Sequence, residues 1–364
     1  MKITIVAGAR PNFMKISPVI KAIHGFDPSG KRISYRLVHT GQHYDKKMSA
    51  DFFEQLGIPE PHANLEAGGG TQAEQTAAIM VRFEKELTEN RPDLILVVGD
   101  VTSTMACTIT AKKMGVDAVH VEAGIRSGDM TMPEEINRIV TDSITDHFFT
   151  TSEVANEHLR KSGIEESRIH FVGNTMIDTL LQNQERLLQP DLWSSAGLQQ
   201  KGYFLLTLHR PANVDDPENL QYLLNTITEV AGEVPVVFPI HPRTKKILDG
   251  IGYKNSGLVL ADPMPYLEFI FLVKHAKAVI TDSGGITEEA TVLGVPCMTM
   301  RNSTERPETI TMGTNELIGT DPRKLVPYLQ KVMQGSWKNG SVPPLWDGKT
   351  SERIVSKLAE LYNA

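Results

Sequence analysis

The stretch "VITDSGGITEEATVLGVPCMTMR" (residues 279–301) decides how the rest of the chain is read. An apolar run, Val279–Thr281, leads into Asp282-Ser283-Gly284-Gly285. A helical pattern carrying Glu288 and Glu289 follows, and then a second apolar run at Cys297–Thr299. Two short apolar runs separated by a helix read as neighbouring strands of a mostly parallel sheet. The paired glycines let the backbone approach a ligand closely, and the first turn of a helix offers free N–H groups to an anion. The turn is expected to bind something.

The same alternation extends in both directions. Upstream, Phe204–Leu208, Val236–Phe238, Leu258–Leu260 and Ala278–Thr281 read as strands with helices between them; downstream, Asp321–Met333 and Ser351–Leu361 read as closing helices. An earlier series has strands at Ile3–Val6, Arg36–His39, Leu94–Val98, Val119–Val121, His147–Phe149 and Ile169–Val172. Helical patterns lie between them at Phe13–His24, Thr71–Glu89, Thr104–Met114, Pro133–Thr145 and Glu153–Lys161. A polar, interrupted connector near 180–200 separates the series. The expected fold class is α/β, with two Rossmann-like domains at 1–180 and 181–349 and a last helix, 350–364, returning to the first.

A net charge of −7 argues against a nucleic-acid binder, whose affinity would come from a basic face. Cys107 and Cys297 stand far apart in apolar segments and read as reduced core thiols. The opening "MKITIVAGARPN" reads as a strand, and no stretch approaches the ~18 apolar residues of a membrane span. A cytoplasmic protein that neither contacts nor crosses a membrane is expected.

Open parallel sheets bind ligands at the carboxyl ends of their strands, and those positions are heavily loaded here. After the first strand, "GARPNFMK" sets Arg10 and Lys15 about a helix start, which suits a phosphate or merely makes a surface cation pair. "HTGQHYD" supplies Gln42, His43 and Asp45, which could equally be solvated loop polars. Asp100 follows "LILVVG", where a helix N-cap is the plain alternative. Glu122 ends a buried strand, where an unpaired carboxylate would be costly. Glu134 opens a helix, where an acid also complements the dipole. Convergence of Asp100, Glu122 and Glu134 would give carboxylates in different surroundings, one able to act as base and another as acid. The second half adds His209 and Arg210, His241 and Arg243, then Ser283, Gly284, Gly285, Glu289 and Arg301, a set that suits a polyanion and ribose hydroxyls. No HExxH or CxxC spacing is present, so no metal site is expected, and "TDSGG" is not a GxSxG elbow.

Together "GARPNFMK", "HTGQHYD", "GDVTST", "HVEAGIRS", "PEEINR", "HRPAN", "TDSGGITEEATVLGVPC" and "MRNSTERPE" resemble, in order over residues 3–320, the signature set of the non-hydrolysing UDP-N-acetylglucosamine 2-epimerase family. The resemblance implies a GT-B fold, two Rossmann-like domains facing a cleft, a homodimer, a UDP-sugar substrate, and neither metal nor dissociable cofactor. It implies epimerisation at C2 through loss of UDP to a 2-acetamidoglucal and re-addition, supplying UDP-ManNAc for surface polysaccharide. By resemblance, Asp100, Glu122 and Glu134 form the acid/base group and His209 stands near the leaving group. Arg10 and Lys15 handle the diphosphate or sugar, Ser283, Gly284, Gly285 and Glu289 hold phosphate and ribose, and Gln42 and His43 fall at effector positions.

Two departures stand out. Many members read His-Arg-Arg-Glu-Asn where this chain has His209-Arg210-Pro211-Ala212-Asn213, at a place associated with a second, activating UDP-sugar. The segment between Arg126 and Pro133 is also short, as in relatives that act on UDP-linked diacetamido uronic acids. A modified sugar, a hydrolysing relative, a glycosyltransferase and a catalytically silent sensor are the competing readings.

Overall fold

The computed structural model describes residues 1–41, 53 and 55–364. Gln42 and His43 lie outside the described residues. The chain divides into two units, Met1–Gln182 with Pro344–Ala364, and Asn183–Pro343.

The first unit is built on a seven-stranded, fully parallel sheet. Its strands are β1 (Lys2–Ala7), β2 (Ser34–His39), β3 (Ala63–Asn64), β4 (Leu94–Val98), β5 (Asp117–Val121), β6 (His147–Thr150) and β7 (Ile169–Phe171). Their order is β3-β2-β1-β4-β5-β6-β7. All five residues of β4 are buried, as a central parallel strand covered by helices on both faces requires. From β1 the chain builds outward to β3, then jumps back to lay β4 on the other side of β1. The switch point therefore lies between β1 and β4, where a crevice opens at the strand ends.

The second unit repeats the plan with six strands: β8 (Phe204–Thr207), β9 (Val236–Pro239), β10 (Leu258–Ala261), β11 (Ala278–Thr281), β12 (Cys297–Thr299) and β13 (Asn315–Leu317). The order β10-β9-β8-β11-β12-β13 places its switch point between β8 and β11, and β11 pairs with β12 as the opening stretch requires. The α/β class with two parallel-sheet halves holds. Sequence reading missed β3 and β13, which are edge strands of two and three residues, too short to show a period. Cys107 and Cys297 are both buried free thiols. Among the described residues, no helix is long and apolar enough to cross a membrane.

The carboxyl-terminal segment closes the first unit. The helix Thr350–Leu361 packs on the helices Arg10–Phe26 and Thr175–Gln182. Its first amides are held by one buried carboxylate, with Thr350 N and Ser351 N donating to Asp178 at 3.1 and 2.6 Å. Trp346 is fully enclosed, and its indole N–H donates to the Thr151 carbonyl at 3.0 Å.

At the switch point of the first unit the helix Thr102–Lys113 approaches β1 so closely that only glycine fits at position 8. A Cβ there would stand 2.1 Å from Ser103 Oγ and 2.8 Å from Thr40 Oγ1. Gly8→Ala is therefore expected to destabilise the protein by about 2 kcal/mol, read as a lowered urea midpoint at unchanged slope. An unchanged midpoint would show that the loop relaxes freely.

Candidate functional site

In the first unit the site grows from the loop after β1. Asn12, at the third position of its helix, reaches back so that Gly8 N and Ala9 N donate to its Oδ1 at 3.1 and 3.0 Å, while its Nδ2 donates to the Val98 carbonyl at 3.0 Å. One amide thus ties the end of β1 to the end of β4, a half capping box. Arg10 stands exposed at the head of the helix. Lys15 does not stand out as a loose cation: its ammonium is paired with Glu122 Oε2 in a largely buried contact.

Glu122 is 3% exposed and takes φ of 69°, a left-handed backbone that a non-glycine residue adopts at roughly 1–3 kcal/mol. Its N–H donates to the Phe149 carbonyl at 3.0 Å, which turns the chain as it leaves β5. Gly99, with φ of 70°, packs against this pair. A Cβ there would lie 3.2 Å from Lys15 Nζ and 3.5 Å from Glu122 Oε2. The next residue, Asp100, is gripped from the helix Pro133–Ile144. Arg138 donates to its Oδ2 from Nη2 and from Nε at 3.1 Å, and Asn137 Nδ2 donates to its backbone carbonyl at 2.8 Å.

The two acids that open that helix are not equivalent. Glu135 is buried and occupied, accepting from Ser127 N, Ser127 Oγ, Gly128 N and Arg138 Nη1 at 2.8–3.1 Å. Burial pushes its carboxyl up, but these donors outweigh that and hold it below the usual range. Glu134 is half-buried, and its side chain makes no hydrogen bond or ion pair among the described residues. The glutamate singled out from sequence is thus the one left available. The strand ends and this helix bring Asp100, Glu122, Lys15 and Arg10 to one switch point, with Glu134 in the first turn of the helix that grips Asp100. Asn12, Asn137 and Arg138 were missed, although a residue three places into a helix is a recognisable back-capping position.

In the second unit Asp282 organises the crevice. It is fully buried at the end of β11 and accepts from Arg210 N at 2.9 Å, from Asn213 Nδ2 at 3.0 Å and from His209 N at 3.1 Å. The His209 ring lies with Nδ1 2.8 Å from its Oδ1, while the side chain stays 56% exposed. Burial pushes the Asp282 carboxyl up, but the His209 ring and the Asn213 and Arg210 donors outweigh it and hold it below the usual carboxylate range. The ionised carboxylate accepts a hydrogen bond from Nδ1–H, which leaves Nε2 as the ring nitrogen not held by Asp282. Asp282 was missed as a site residue. The signal was the same as for Glu122, an acid ending an apolar strand.

At the Asp282-Ser283-Gly284-Gly285 turn the glycines are not used for left-handed backbone. Neither glycine has a positive φ. What they provide is room: a Cβ on Gly285 would meet nothing within 4 Å. The helix Gly284–Val292 starts here, and its N-cap Ser283 makes no capping bond, so the first N–H groups and the dipole face the crevice. Beneath the turn, Arg301 is buried in a bidentate pair with Glu305 at 2.7 and 2.8 Å, its Nη1 3.7 Å from where a Cβ on Gly284 would be. Glu289 is 3% exposed and accepts from Tyr266 Oη at 2.9 Å; burial pushes its carboxyl up to about 8. At the end of β9, His241 caps the helix Pro242–Gly250 and Arg243 pairs with Asp215 at 2.6 Å, both at the surface.

A family model described as UDP-N-acetylglucosamine 2-epimerase matches residues 29–359. The UDP-N-acetylglucosamine 2-epimerase of Methanocaldococcus jannaschii is 41% identical, over 98% of this chain and 99% of that protein. The chain belongs to the UDP-N-acetylglucosamine 2-epimerase family. A crystal structure of a Methanocaldococcus jannaschii family member in complex with UDP-GlcNAc and UDP superposes with a TM-score of 0.86, at 40% identity and over 99% and 100% of the two chains. The two parallel-sheet units are those of this GT-B-like family. A UDP-2,3-diacetamido-2,3-dideoxy-D-glucuronate 2-epimerase from Pseudomonas aeruginosa is 40% identical over 99% of this chain and all of that protein.

Proposed function

We propose that this protein interconverts UDP-GlcNAc and UDP-ManNAc without hydrolysis. In one direction a carboxylate of the Asp100, Glu122 and Glu134 group takes the C2 proton and the C2–H electron pair becomes the C1=C2 double bond of a 2-acetamidoglucal. The C1–O pair leaves with UDP. Protonation at the opposite face of C2 and attack of a UDP oxygen on C1 complete the epimerisation. C2 loses and regains a proton, so the cycle is redox-neutral and needs no electron carrier. The product would supply ManNAc-type sugars for cell-surface polysaccharide.

The observation that carries this reading is the Lys15–Glu122 pair beside Asp100, at the switch point of the first unit. It sets an ionised carboxylate next to a cation on a fixed backbone, where a proton can be moved and charge balanced. The uncapped N-terminus of the helix Gly284–Val292 and the Asp282-oriented His209 suit the departing diphosphate and its proton. Arg10, Ser283 and Glu289 are read as diphosphate and ribose contacts. The 40% identity to the diacetamido-uronate enzyme favours one second reading, the same chemistry on that modified sugar.

Proton NMR of the purified protein with UDP-GlcNAc in D2O tests both. UDP-ManNAc bearing deuterium at C2 is expected. Free ManNAc with UDP would overturn the non-hydrolysing assignment. Inertness towards UDP-GlcNAc, with turnover of the diacetamido uronate, would move the substrate to the modified sugar.

A further inference from the structure

His120 lies on β5, two residues before Glu122, and is 0% exposed. Both ring nitrogens face acceptors. Nε2 is 2.8 Å from the Gly99 carbonyl, and Nδ1 is 2.7 Å from Asp142 Oδ1 on the helix Pro133–Ile144. A carbonyl can only accept, so Nε2 carries a proton. The contact at Nδ1 then needs either a second ring proton facing a carboxylate or a protonated Asp142 donating to the ring.

The other oxygen of Asp142 decides between them. Oδ2 is paired with Arg126 Nη1 at 2.6 Å and accepts from Gly124 N at 3.1 Å. A guanidinium and a backbone N–H both favour the ionised acid. Burial pushes the Asp142 carboxyl up, but the contacts with His120 and Arg126 outweigh this and leave it below the usual range. Arg126, Asp142 and His120 then form a largely buried chain that ends on the Gly99 carbonyl.

Gly99 is the hinge of the acid group. On one side it receives the His120 N–H; on the other it packs against Lys15 Nζ, Asn12 Nδ2 and Glu122 Oε2, at 3.2–3.5 Å from where a Cβ would stand. Its carbonyl carbon is bonded to the nitrogen of Asp100. We propose that His120 is a positioning residue: a buried ring carrying protons on both nitrogens, which locks the Gly99–Asp100 peptide and so fixes Asp100 relative to Glu122. It touches no substrate and acts through that peptide.

Two near-isosteric variants separate its two bonds. In His120→Asn the amide takes the place of Nδ1 and keeps a donor towards Asp142 but releases Gly99. In His120→Gln the amide reaches the place of Nε2 and restores a donor to Gly99. His120→Asn is expected to lower kcat about 30-fold with KM changed less than about twofold, and His120→Gln to recover about tenfold of that loss. Wild-type kcat in His120→Asn, or no difference between the variants, overturns the proposal.

This kinetic arm rests on the epimerase reading; a second arm does not. In the 15N-labelled wild-type protein both His120 ring nitrogens are expected to show bound protons, whatever reaction the protein performs. A ring with a bare Nδ1 overturns the proposal even if epimerisation is confirmed. Should both variants fail to fold, the nitrogen spectrum alone decides.

Discussion

Glu122→Gln is expected to lower epimerisation about 10³-fold while leaving the affinity for UDP, measured calorimetrically, within about threefold of wild type. Glutamine fills the same volume and keeps the backbone contact to Phe149, so the turn that leaves β5 survives. What changes is the charge. The carboxylate that faces Lys15 becomes a neutral amide, unable to take a proton from C2, and the ammonium in that largely buried contact loses its counter-ion. In the proposed reading UDP is held mainly by residues of the second unit, so its affinity reports on residues other than the one changed. Equal loss of binding and turnover would mean that Glu122 maintains structure rather than moving a proton. Lys15→Met removes the partner instead and is expected to slow turnover less than Glu122→Gln, because the acceptor oxygen remains.

The second large effect is on stability. Two carboxyls of the second unit are buried where ionisation is costly: Glu289, pushed up by burial to about 8, and Glu308, pushed up by burial to about 7. Both oxygens of Glu308 lack a hydrogen-bond partner, and the side chain is 5% exposed. Each group binds its proton more tightly folded than unfolded. Its stabilising contribution is therefore full below the unfolded value near 4.5 and is lost as pH rises through the folded value. At 1.36 kcal/mol per unit, the span corresponds to about 5 kcal/mol for Glu289 and about 3 kcal/mol for Glu308. Wild-type stability is expected to fall as pH rises from about 5 to about 8.5, and the Glu289→Gln/Glu308→Gln double variant to show a much flatter profile. Gln at either position lowers or raises the whole curve through its own hydrogen bonds, so the slope is the readout. Parallel curves would show that both acids already ionise in the folded protein near neutral pH.

Much of the site was legible because a buried strand end tolerates few polar residues. Glu122 and Asp100 drew attention by following apolar runs, and Ser283, Gly284 and Gly285 by interrupting one before a helix. The same rule pointed to Asp282, yet its work is internal: it holds four donors around His209 and Arg210, and no local pattern names partners some seventy residues away. Lys15 was read from spacing as a phosphate cation or one of a surface cation pair, and its pairing with Glu122, 107 residues later, was not legible. Of the two acids in "PEEINR", sequence gave no physical means to separate the occupied Glu135 from the available Glu134. That difference arises from how the 127–132 segment folds back onto the helix.

The chain enters the second unit at Asn183 and leaves it at Pro343, so the first unit is written in two pieces. Its last helix, Trp346 and the amides that satisfy Asp178 are translated only after all of the second unit. As the chain emerges from a ribosome, the six-stranded sheet can be complete while the seven-stranded one still exposes the groove between the helices Arg10–Phe26 and Thr175–Gln182. The half that carries the acid group is finished last. A nascent chain stalled short of residue 344 would hold an assembled second unit while the first still carried an open, chaperone-accessible apolar seam.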